Sequence, residues 1–323
     1  MTQGVMQEPT LFLGEFGRGD LAGEALQQAA APLGRAAIVA TDDPEATARI
    51  LPHATLLPPN TPTPPEARRA LLTGPMSDHN RAVDLILRLG LLRQRGLRIG
   101  LRSLSLFPWG PLYRPAPEVR AVLEVLDEAS ARDHRTLGSM VEWRCPWWAG
   151  LEAFPEGDLL PELPPPLPAD LPAGPRLGLS VSDSQKTREV FAKHEALVAE
   201  YLAPYDGWTV IPLPVVRQGE GGSDDLRAIR DCAARFLPRS PVLETGPEDV
   251  ASWRREMTPA RLKGWIASCG QVIGGRDLPV AFAASAGIPC LALAPHADHE
   301  AGRAAGSLAN RLAPGSRYRV LPS

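Results

Sequence analysis

Short apolar runs alternate with longer amphipathic segments in the first half of the chain. Runs at residues 10–14, 36–40, 70–73, 97–101 and 129–132 predict strands, and the segments between them favour helices. In residues 80–95, for example, Ala82, Ile86, Leu89 and Leu92 recur at helical spacing. Strands separated by helices are typical of a mostly parallel sheet that is covered on both faces.

The same alternation returns after a proline-rich stretch at residues 161–172. It predicts strands at 176–181, 208–213, 242–244, 271–273 and 290–294, with helices at 187–203, 224–236, 259–268, 278–286 and 299–312. The prolines exclude a helix or a central strand and favour a stiff, extended linker. We therefore predict an α/β protein of two Rossmann-like domains, residues 1–155 and 176–323, with a linker at residues 156–175.

Composition narrows the possible partners. The chain has 323 residues, 44% of them hydrophobic, and a formal net charge of -3, so its charge does not favour nucleic acid. The four cysteines lack the spacing of a metal site and suit a reducing cytoplasm. Because no apolar stretch reaches the ~18 residues of a membrane span, we expect a cytoplasmic protein, with peripheral contact at the inner face of the membrane left open. We predict no metal and no cofactor, and the sequence leaves the oligomeric state open.

A candidate anion site lies in residues 269–300. A short apolar strand leads into Gly274 and Gly275, and an alanine-rich helix without charge after Asp277 follows. A helix N-terminus favours an anion, and glycine lets a backbone approach a ligand closely. Arg276 stands at this N-terminus, where a cation opposes the helix dipole. It is either an anion clamp or a side chain that covers the helix end and points to water.

The loop after the first strand is a second candidate. Gly17, Gly19, Asp20 and Glu24 follow a strand and lead into a helix, as at the opening of a nucleotide-type βαβ unit. The glycines do not have the Gly-x-Gly-x-x-Gly spacing, so the pattern does not specify a dinucleotide site. Asp20 is placed either to cap the helix that follows or to take part in catalysis.

Taken in order, these segments resemble the polysaccharide pyruvyl transferase family. Residues 14–26 resemble its first loop, residues 130–133 (Ser-Ala-Arg-Asp) its Ser-x-Arg-Asp strand end, and residues 272–289 its strand, arginine and helix segment. The resemblance implies a glycosyltransferase-B-like fold and the transfer of an enolpyruvyl unit from phosphoenolpyruvate to a cell-envelope sugar. Leu278 stands where the Arg-Leu-His motif of the family has its histidine.

The resemblance also implies where the chemistry lies. Phosphoenolpyruvate would bind the second domain, and a sugar or lipid-linked saccharide the first. Two histidines after the last predicted strand either replace the missing imidazole or face solvent at the start of the last helix. The implied catalytic residues are Asp20, Glu24, His296 and His299. The implied substrate-binding residues are Arg276, Gly275, Gly17, Gly19 and Arg132.

Three functions are compatible with this pattern. The preferred one is a pyruvyl transferase acting on an envelope sugar. The second is a relative that has kept the fold, has lost the transfer chemistry and serves as a binding protein, since fold alone does not imply activity. The third is a nucleotide-sugar glycosyltransferase of the same fold, with the diphosphate at a helix N-terminus and Glu300 as the carboxylate for the ribose hydroxyls.

Overall fold

The computed structural model describes residues 8–16, 20–30, 37–76, 78–106, 113–145, 150–163, 174–217, 222–295 and 299–321. The chain divides into two compact units between Glu156 and Gly157, and residues 20–22 belong with the second unit. Each unit is built around one sheet. None of the helices in the described ranges is long and apolar enough to cross a membrane.

The first unit contains a seven-stranded sheet in the order β3-β2-β1-β4-β5-β6-β7. All of its neighbouring strand pairs are parallel. The elements, in chain order, are β1 (Thr10–Leu13), α1 (Leu21–Ala30), β2 (Ala37–Ala40), α2 (Pro44–Ile50), β3 (Thr55–Leu57), β4 (Arg69–Met76), α3 (His79–Gln94), β5 (Arg98–Leu106), α4 (Pro117–Leu123), β6 (Glu128–Ala131), α5 (His134–Glu142) and β7 (Gly150–Leu151).

The core of the first unit follows from the apolar pattern. Strands β1 and β2 are buried at every position, as expected for central strands with helices on both faces. Helix α3 begins where the Asp78 carboxylate accepts a hydrogen bond from the N–H of Arg81. Its predicted apolar face is confirmed, because the buried residues of α3 are Ala82, Leu85, Ile86, Leu89 and Leu92.

The second unit contains a five-stranded sheet in the order β12-β11-β10-β8-β9, again with parallel neighbours throughout. Its elements are β8 (Arg176–Ser180), α6 (Gln185–Lys193), α7 (Glu195–Leu202), β9 (Thr209–Pro212), α8 (Asp225–Phe236), α9 (Val250–Glu256), α10 (Pro259–Ala267), β10 (Gln271–Gly274), α11 (Asp277–Ala286), β11 (Cys290–Ala294), α12 (Glu300–Ser307) and β12 (Arg317–Val320).

Helix α11 is the alanine-rich helix that was predicted after Gly275, and most of it is buried. Its residues from Asp277 to Ala284 are all buried, in keeping with an alanine-rich sequence without further charge. It ends at Gly287, whose φ of 69° lies in the left-handed region that favours glycine at a helix C-terminus. The small side chains of α11 let it pack closely on its own sheet and fix the loop between β10 and α11.

In each sheet the strand order reverses its direction at one position. The reversal lies between β1 and β4 in the first sheet and between β8 and β10 in the second. Open α/β sheets bind ligands in the crevice outside the carboxyl ends of the strands at such a reversal. The loops that follow β8 and β10 are therefore the first place to look for a site in the second unit.

The predicted α/β class with mostly parallel sheets is confirmed, but several elements differ from the prediction. Strand β3 and helices α5 and α9 were not predicted, although α5 and α9 each begin at an aspartate cap, Asp133 and Asp249. The predicted helix at 187–203 is two helices, α6 and α7. The predicted strand at 242–244 is a single bridge between Val210 and Val242.

The predicted linker at residues 156–175 is partly structured. It begins within a 3-10 helix, Pro155–Asp158. Farther along, the N–H of Glu162 donates to the carbonyl oxygen of Ala260 at 3.0 Å. The Lys263 ammonium donates to the carbonyl oxygens of Gly157 and Leu159 at 2.7 and 2.5 Å. The beginning of this segment therefore packs on α10 of the second unit, and residues 164–173 lie outside the described residues.

Candidate functional site

The crevice at the reversal point of the second sheet begins with a close contact between two strand ends. The N–H of Gly275, just after β10, donates to the carbonyl oxygen of Ser180, the last residue of β8, at 2.8 Å. A Cβ at position 275 would lie 2.7 Å from that oxygen. Glycine is therefore required at 275 for backbone packing, which is a different reason from the ligand contact expected from the sequence.

Arg276 is held by two carboxylates. Its Nε and Nη2 donate to Oδ2 and Oδ1 of Asp225 at 3.0 and 2.7 Å, and its Nη1 donates to Oε1 of Glu300 at 2.7 Å. Burial acts to lower the pKa of Arg276, but Asp225, Glu300 and, more weakly, Asp20 raise it well above its ordinary value. The guanidinium is thus permanently charged and already paired. Its side chain is 14% exposed and does not point to water, and its predicted role as an anion clamp stays a prediction.

Asp225, the first residue of α8, joins three loops. Its side chain is fully buried. In addition to the bonds from Arg276, the carboxylate accepts from the backbone N–H of Asp183 at 3.0 Å, Val215 at 3.2 Å and Val216 at 2.9 Å. The loops after β8, β9 and β10 therefore meet at one carboxylate. Charge-assisted hydrogen bonds of this kind hold the rim of the crevice in a defined geometry.

Glu300, the first residue of α12, completes the cluster. Burial is the largest influence on this carboxyl group and raises its pKa to about 7, with Arg276 acting in the opposite direction and Asp277 and Asp225 adding to the rise. A carboxyl group with a pKa near neutrality can gain or lose a proton under ordinary conditions. Its side chain is 19% exposed, so a ligand in the crevice can reach it.

The cluster formed by Arg276, Asp225, Asp277, Glu300 and Asp20, called here the Arg276 cluster, carries more carboxylates than cations. The carboxylates of such a cluster can accept hydrogen bonds from ligand hydroxyl groups. The binding of phosphoenolpyruvate by Arg276 stays a prediction. Among the described residues, no group of three or more His, Cys, Asp or Glu side chains could hold a metal ion.

Asp20 lies in the segment that belongs with the second unit. Its Oδ1 accepts from the N–H of Ala22 at 2.9 Å, so its expected capping role at the start of α1 is confirmed. The segment is also tied to the loop after β9, because the N–H of Leu21 donates to the carbonyl oxygen of Val215 at 3.0 Å. The carboxylate acts on the pKa of Arg276. A catalytic role for Asp20 stays a prediction.

The predicted histidine pair is only partly described. His299 caps α12, with its Nδ1 accepting from the N–H of Ala301 at 3.4 Å. Its Nε2 lies 3.9 Å from Oε1 of Glu300, and its side chain is 10% exposed, so it does not face solvent. His296, Gly17 and Gly19 lie outside the described residues, and their predicted roles stay predictions.

Two predicted site residues have structural partners inside the first unit. Glu24 is buried, and its Oε2 accepts from Nη2 of Arg49 at 3.0 Å. Arg132 is fully buried, its Nε donates to Oε1 of Glu156 at 2.8 Å, and its guanidinium lies 4.3 Å from the centre of the Phe154 ring. Arg132 has no surface to offer a ligand. The structure thus replaces its expected substrate contact with a role in the core.

Sequence reasoning did not select two residues that organise the crevice. Asp225 and Asp183 are both almost fully buried carboxylates at its rim. Each follows a buried strand in a loop that leads into a helix, which is a weak signal because aspartate is also the ordinary capping residue there. Their importance follows from their partners. Asp225 binds Arg276, which is 51 residues away in the sequence, and Asp183 binds Arg227, which is 44 residues away.

No family model matches the chain, and no curated protein matches it. Solved structures do match its fold. One is a protein from Listeria monocytogenes assigned as a UDP-N-acetylglucosamine 2-epimerase, at 11% identity and a TM-score of 0.55, with 90% of this chain and 80% of that chain covered. Another is HepE from Anabaena, solved in complex with UDP, at 13% identity and a TM-score of 0.51, with 88% and 80% covered. At these identities the likeness establishes the fold class, two Rossmann-like domains of the glycosyltransferase-B type.

Proposed function

We propose that the protein is an enzyme of the glycosyltransferase-B type that uses a nucleotide sugar and binds it at the carboxyl edge of the second sheet. One observation carries the proposal. The reversal point between β8 and β10, where an open α/β sheet binds its ligand, holds a cluster of carboxylates fixed around a single buried guanidinium.

The charge of the cluster favours hydroxyl groups as ligands. Arg276 orients both Asp225 and Glu300, so their positions are set before a ligand arrives. Glu300 is the exposed member of the pair, and a carboxylate accepts hydrogen bonds only. The adjacent hydroxyls of a ribose or of a hexose can donate to it. Glu300 is therefore the residue we assign to hydroxyl recognition.

The structures of similar fold also support a nucleotide sugar as the ligand, although the proposal does not rest on them. HepE was solved with UDP, and the Listeria monocytogenes protein is assigned to an enzyme of a UDP-sugar. Neither of these two proteins is described as a pyruvyl transferase. The Arg276 cluster supports the same ligand class through Glu300, which can accept hydrogen bonds from the ribose or sugar hydroxyls of a nucleotide sugar. We accordingly propose a sugar nucleotide as the partner in place of phosphoenolpyruvate.

Two reactions of a nucleotide sugar fit the site, transfer of the sugar and epimerisation. Both need a group that moves a proton to or from a sugar oxygen or carbon. Glu300, with a pKa of about 7, and His299, with Nε2 3.9 Å from its carboxyl oxygen, form a pair suited to that step. In this proposal His299 assists Glu300, which agrees with its place among the expected catalytic residues.

Isothermal titration calorimetry with UDP-N-acetylglucosamine, UDP and phosphoenolpyruvate tests the proposal. We expect the two nucleotides to bind the native protein and phosphoenolpyruvate not to bind. Glu300→Gln should weaken nucleotide-sugar binding at least tenfold, because a lost hydrogen bond to a charged group costs about 1.5–3 kcal/mol. NMR of the reaction mixture then separates an epimerised sugar nucleotide from released UDP.

Glu189→Gln is the matched control, because Glu189 is an exposed carboxylate on α6 that bonds only its neighbour Gln185 among the described residues. It should leave the affinity unchanged. Binding of phosphoenolpyruvate without binding of either nucleotide would overturn the proposal in favour of pyruvyl transfer. Circular dichroism of Glu300→Gln confirms that any loss of affinity comes from a folded protein.

A further inference from the structure

A second cavity lies beside the Arg276 cluster, between α6 and α8, and has a volume of about 250 Å³. Its buried lining includes the apolar side chains Val181, Ala228 and Cys232 beside the polar ones of Ser182, Asp183 and Thr187. Burial raises the pKa of the Cys232 thiol to about 12, so the thiol is neutral and adds apolar surface. The rings of Phe191 and Phe236 line the same space. The interior therefore suits an apolar or aromatic group.

The cavity also has charged residues in its lining. Arg188, Arg227 and Arg235 line it together with two carboxylates, Asp183 and Asp231. The Arg188 and Arg227 side chains are 56% and 61% exposed. Each guanidinium has five N–H donors and gives one hydrogen bond to Asp183, so other donors remain available to an acceptor in the cavity. The lining carries a net positive charge, in contrast to the Arg276 cluster.

Asp183 sets the geometry of these two arginines. Its side chain is 2% exposed, and it accepts Nη1 of Arg188 at 2.5 Å and Nη2 of Arg227 at 2.6 Å. Its other anchor is the N–H of Asp224, which donates to Oδ2 at 3.0 Å. One buried carboxylate thus bonds both guanidiniums, one through each of its oxygens. Two guanidiniums outweigh the single charge of Asp183, and guanidiniums bind carboxylate and phosphate groups through their remaining N–H donors.

We propose that the cavity between α6 and α8 is a binding site for a small organic anion, with a phosphate or carboxylate group held by Arg188 and Arg227 and an aromatic or aliphatic body against Phe191 and Phe236. The site is separate from the Arg276 cluster in its chemistry, because it is cationic and apolar where that cluster is acidic. It does not depend on the function proposed for that cluster.

Calorimetric titration of the whole chain with phenyl phosphate tests this site. Phenyl phosphate should bind in the submillimolar range, whereas inorganic phosphate and phenol, which each supply half of the ligand, should bind at least tenfold more weakly. Arg227→Ala and Arg188→Ala should each weaken phenyl phosphate binding at least tenfold. Ala192→Phe, at an exposed position that lines the cavity, should abolish it by filling the space.

Arg239→Ala is the control, because Arg239 is an exposed arginine that pairs with Asp206 and does not line the cavity. It should bind phenyl phosphate as the native protein does. The proposal is overturned if phenyl phosphate fails to bind the native protein at millimolar concentration. It is also overturned if Arg227→Ala and Ala192→Phe, shown to be folded by circular dichroism, both bind it with native affinity, or if inorganic phosphate binds as tightly as phenyl phosphate.

An anion with an aromatic body could be a free metabolite or part of a nucleotide. Competition between UDP and phenyl phosphate distinguishes these sources. Displacement of phenyl phosphate by UDP, together with loss of UDP affinity in Ala192→Phe, would assign the cavity to a nucleotide. Simultaneous binding of both would assign it to a separate small anion, and either result supports the cavity as a ligand site.

Discussion

The same dipeptide follows a parallel strand in each unit, with different results. Arg132 and Asp133 come directly after β6. Arg276 and Asp277 come after β10, separated from its last residue, Gly274, by Gly275. Arg132 is fully buried against the Glu156 carboxylate and the Phe154 ring. Arg276 is paired with two carboxylates at the rim of a crevice and is 14% exposed.

The difference lies in the balance of charge and in access to solvent. Arg132 is bonded to the Glu156 carboxylate and has no contact with solvent, which is an arrangement for packing. Around Arg276 the carboxylates outnumber the cation, and Glu300 keeps a raised pKa and an exposed edge. An arginine after a parallel strand therefore does not by itself indicate a ligand site. The exposure of the arginine and of its carboxylate partners decides.

The largest expected effect is at the buried pair of the first unit. Arg132→Met should lower the free energy of unfolding by about 3–5 kcal/mol, because it leaves Glu156 buried without its cation. The double variant Arg132→Met/Glu156→Leu should recover most of that loss, since neither charge of the pair is then left buried without the other. Urea denaturation followed by circular dichroism measures both.

Arg98→Ala is the control in the same unit, because Arg98 is 59% exposed and pairs with Glu8 at the surface. It should cost less than about 1 kcal/mol. If Arg132→Met is no more destabilising than Arg98→Ala, the buried pair is not the structural element described here, and the contrast between the two arginines fails.

An intermediate effect is expected at Glu300, as a change in the pH dependence of stability. Its pKa in the folded protein is raised to about 7, above its ordinary value. Protonation therefore favours the folded state, and the contribution of Glu300 is complete below its unfolded pKa and is lost as the pH rises through about 7. Glu300→Gln lacks this loss. The free energy of unfolding of Glu300→Gln minus that of the native protein should be larger at pH 8 than at pH 5 by on the order of 1–3 kcal/mol.

Urea denaturation at pH 5, 6, 7 and 8 measures this difference, with Glu189→Gln as the exposed control. Identical pH profiles for the native protein and Glu300→Gln would show that burial does not raise this pKa. A gain in stability together with the loss of nucleotide-sugar binding would identify Glu300 as a residue kept for its function at the expense of stability.

The smallest effect is expected at Asp20, which caps α1 and also acts on Arg276. Asp20→Ala should lower the free energy of unfolding by about 1 kcal/mol, because the N–H of Ala22 loses its acceptor. Asp20→Asn keeps an acceptor and removes the charge, so it should restore most of the stability. If Asp20→Asn is as destabilising as Asp20→Ala in urea denaturation, Asp20 stabilises the protein mainly through its negative charge near Arg276 and not through the helix cap.

Much of the fold could be predicted from the apolar pattern. The central strands are continuous apolar runs, and α3 and α11 have sequences that fit one buried face and complete burial, respectively. The missed elements are short or marginal. Strand β3 is partly exposed and has three residues, and α9 has one fully buried residue, Trp253, among its seven. Such elements form because neighbouring strands and helices provide partners that a local pattern does not contain.

The candidate site could be predicted only in part. The sequence located the loop that carries Arg276 and the start of the helix that carries Glu300, because strands, glycines and caps are local signals. It did not reveal that Arg276 is neutralised, since its partners Asp225 and Glu300 lie 51 and 24 residues away. For the same reason it assigned Arg132 to a ligand, although its partner Glu156 lies 24 residues away in the core.

By itself, the sequence determined the class of fold and the position of the Arg276 loop at the carboxyl edge of a sheet. Apolar periodicity and helix caps act over a few residues, so a linear pattern is enough to specify them. Tertiary structure alone decided the chemistry of each arginine. Charge balance, burial and pKa depend on side chains that the fold brings within a few ångströms, and the strand order of the second sheet sets which carboxylates those are.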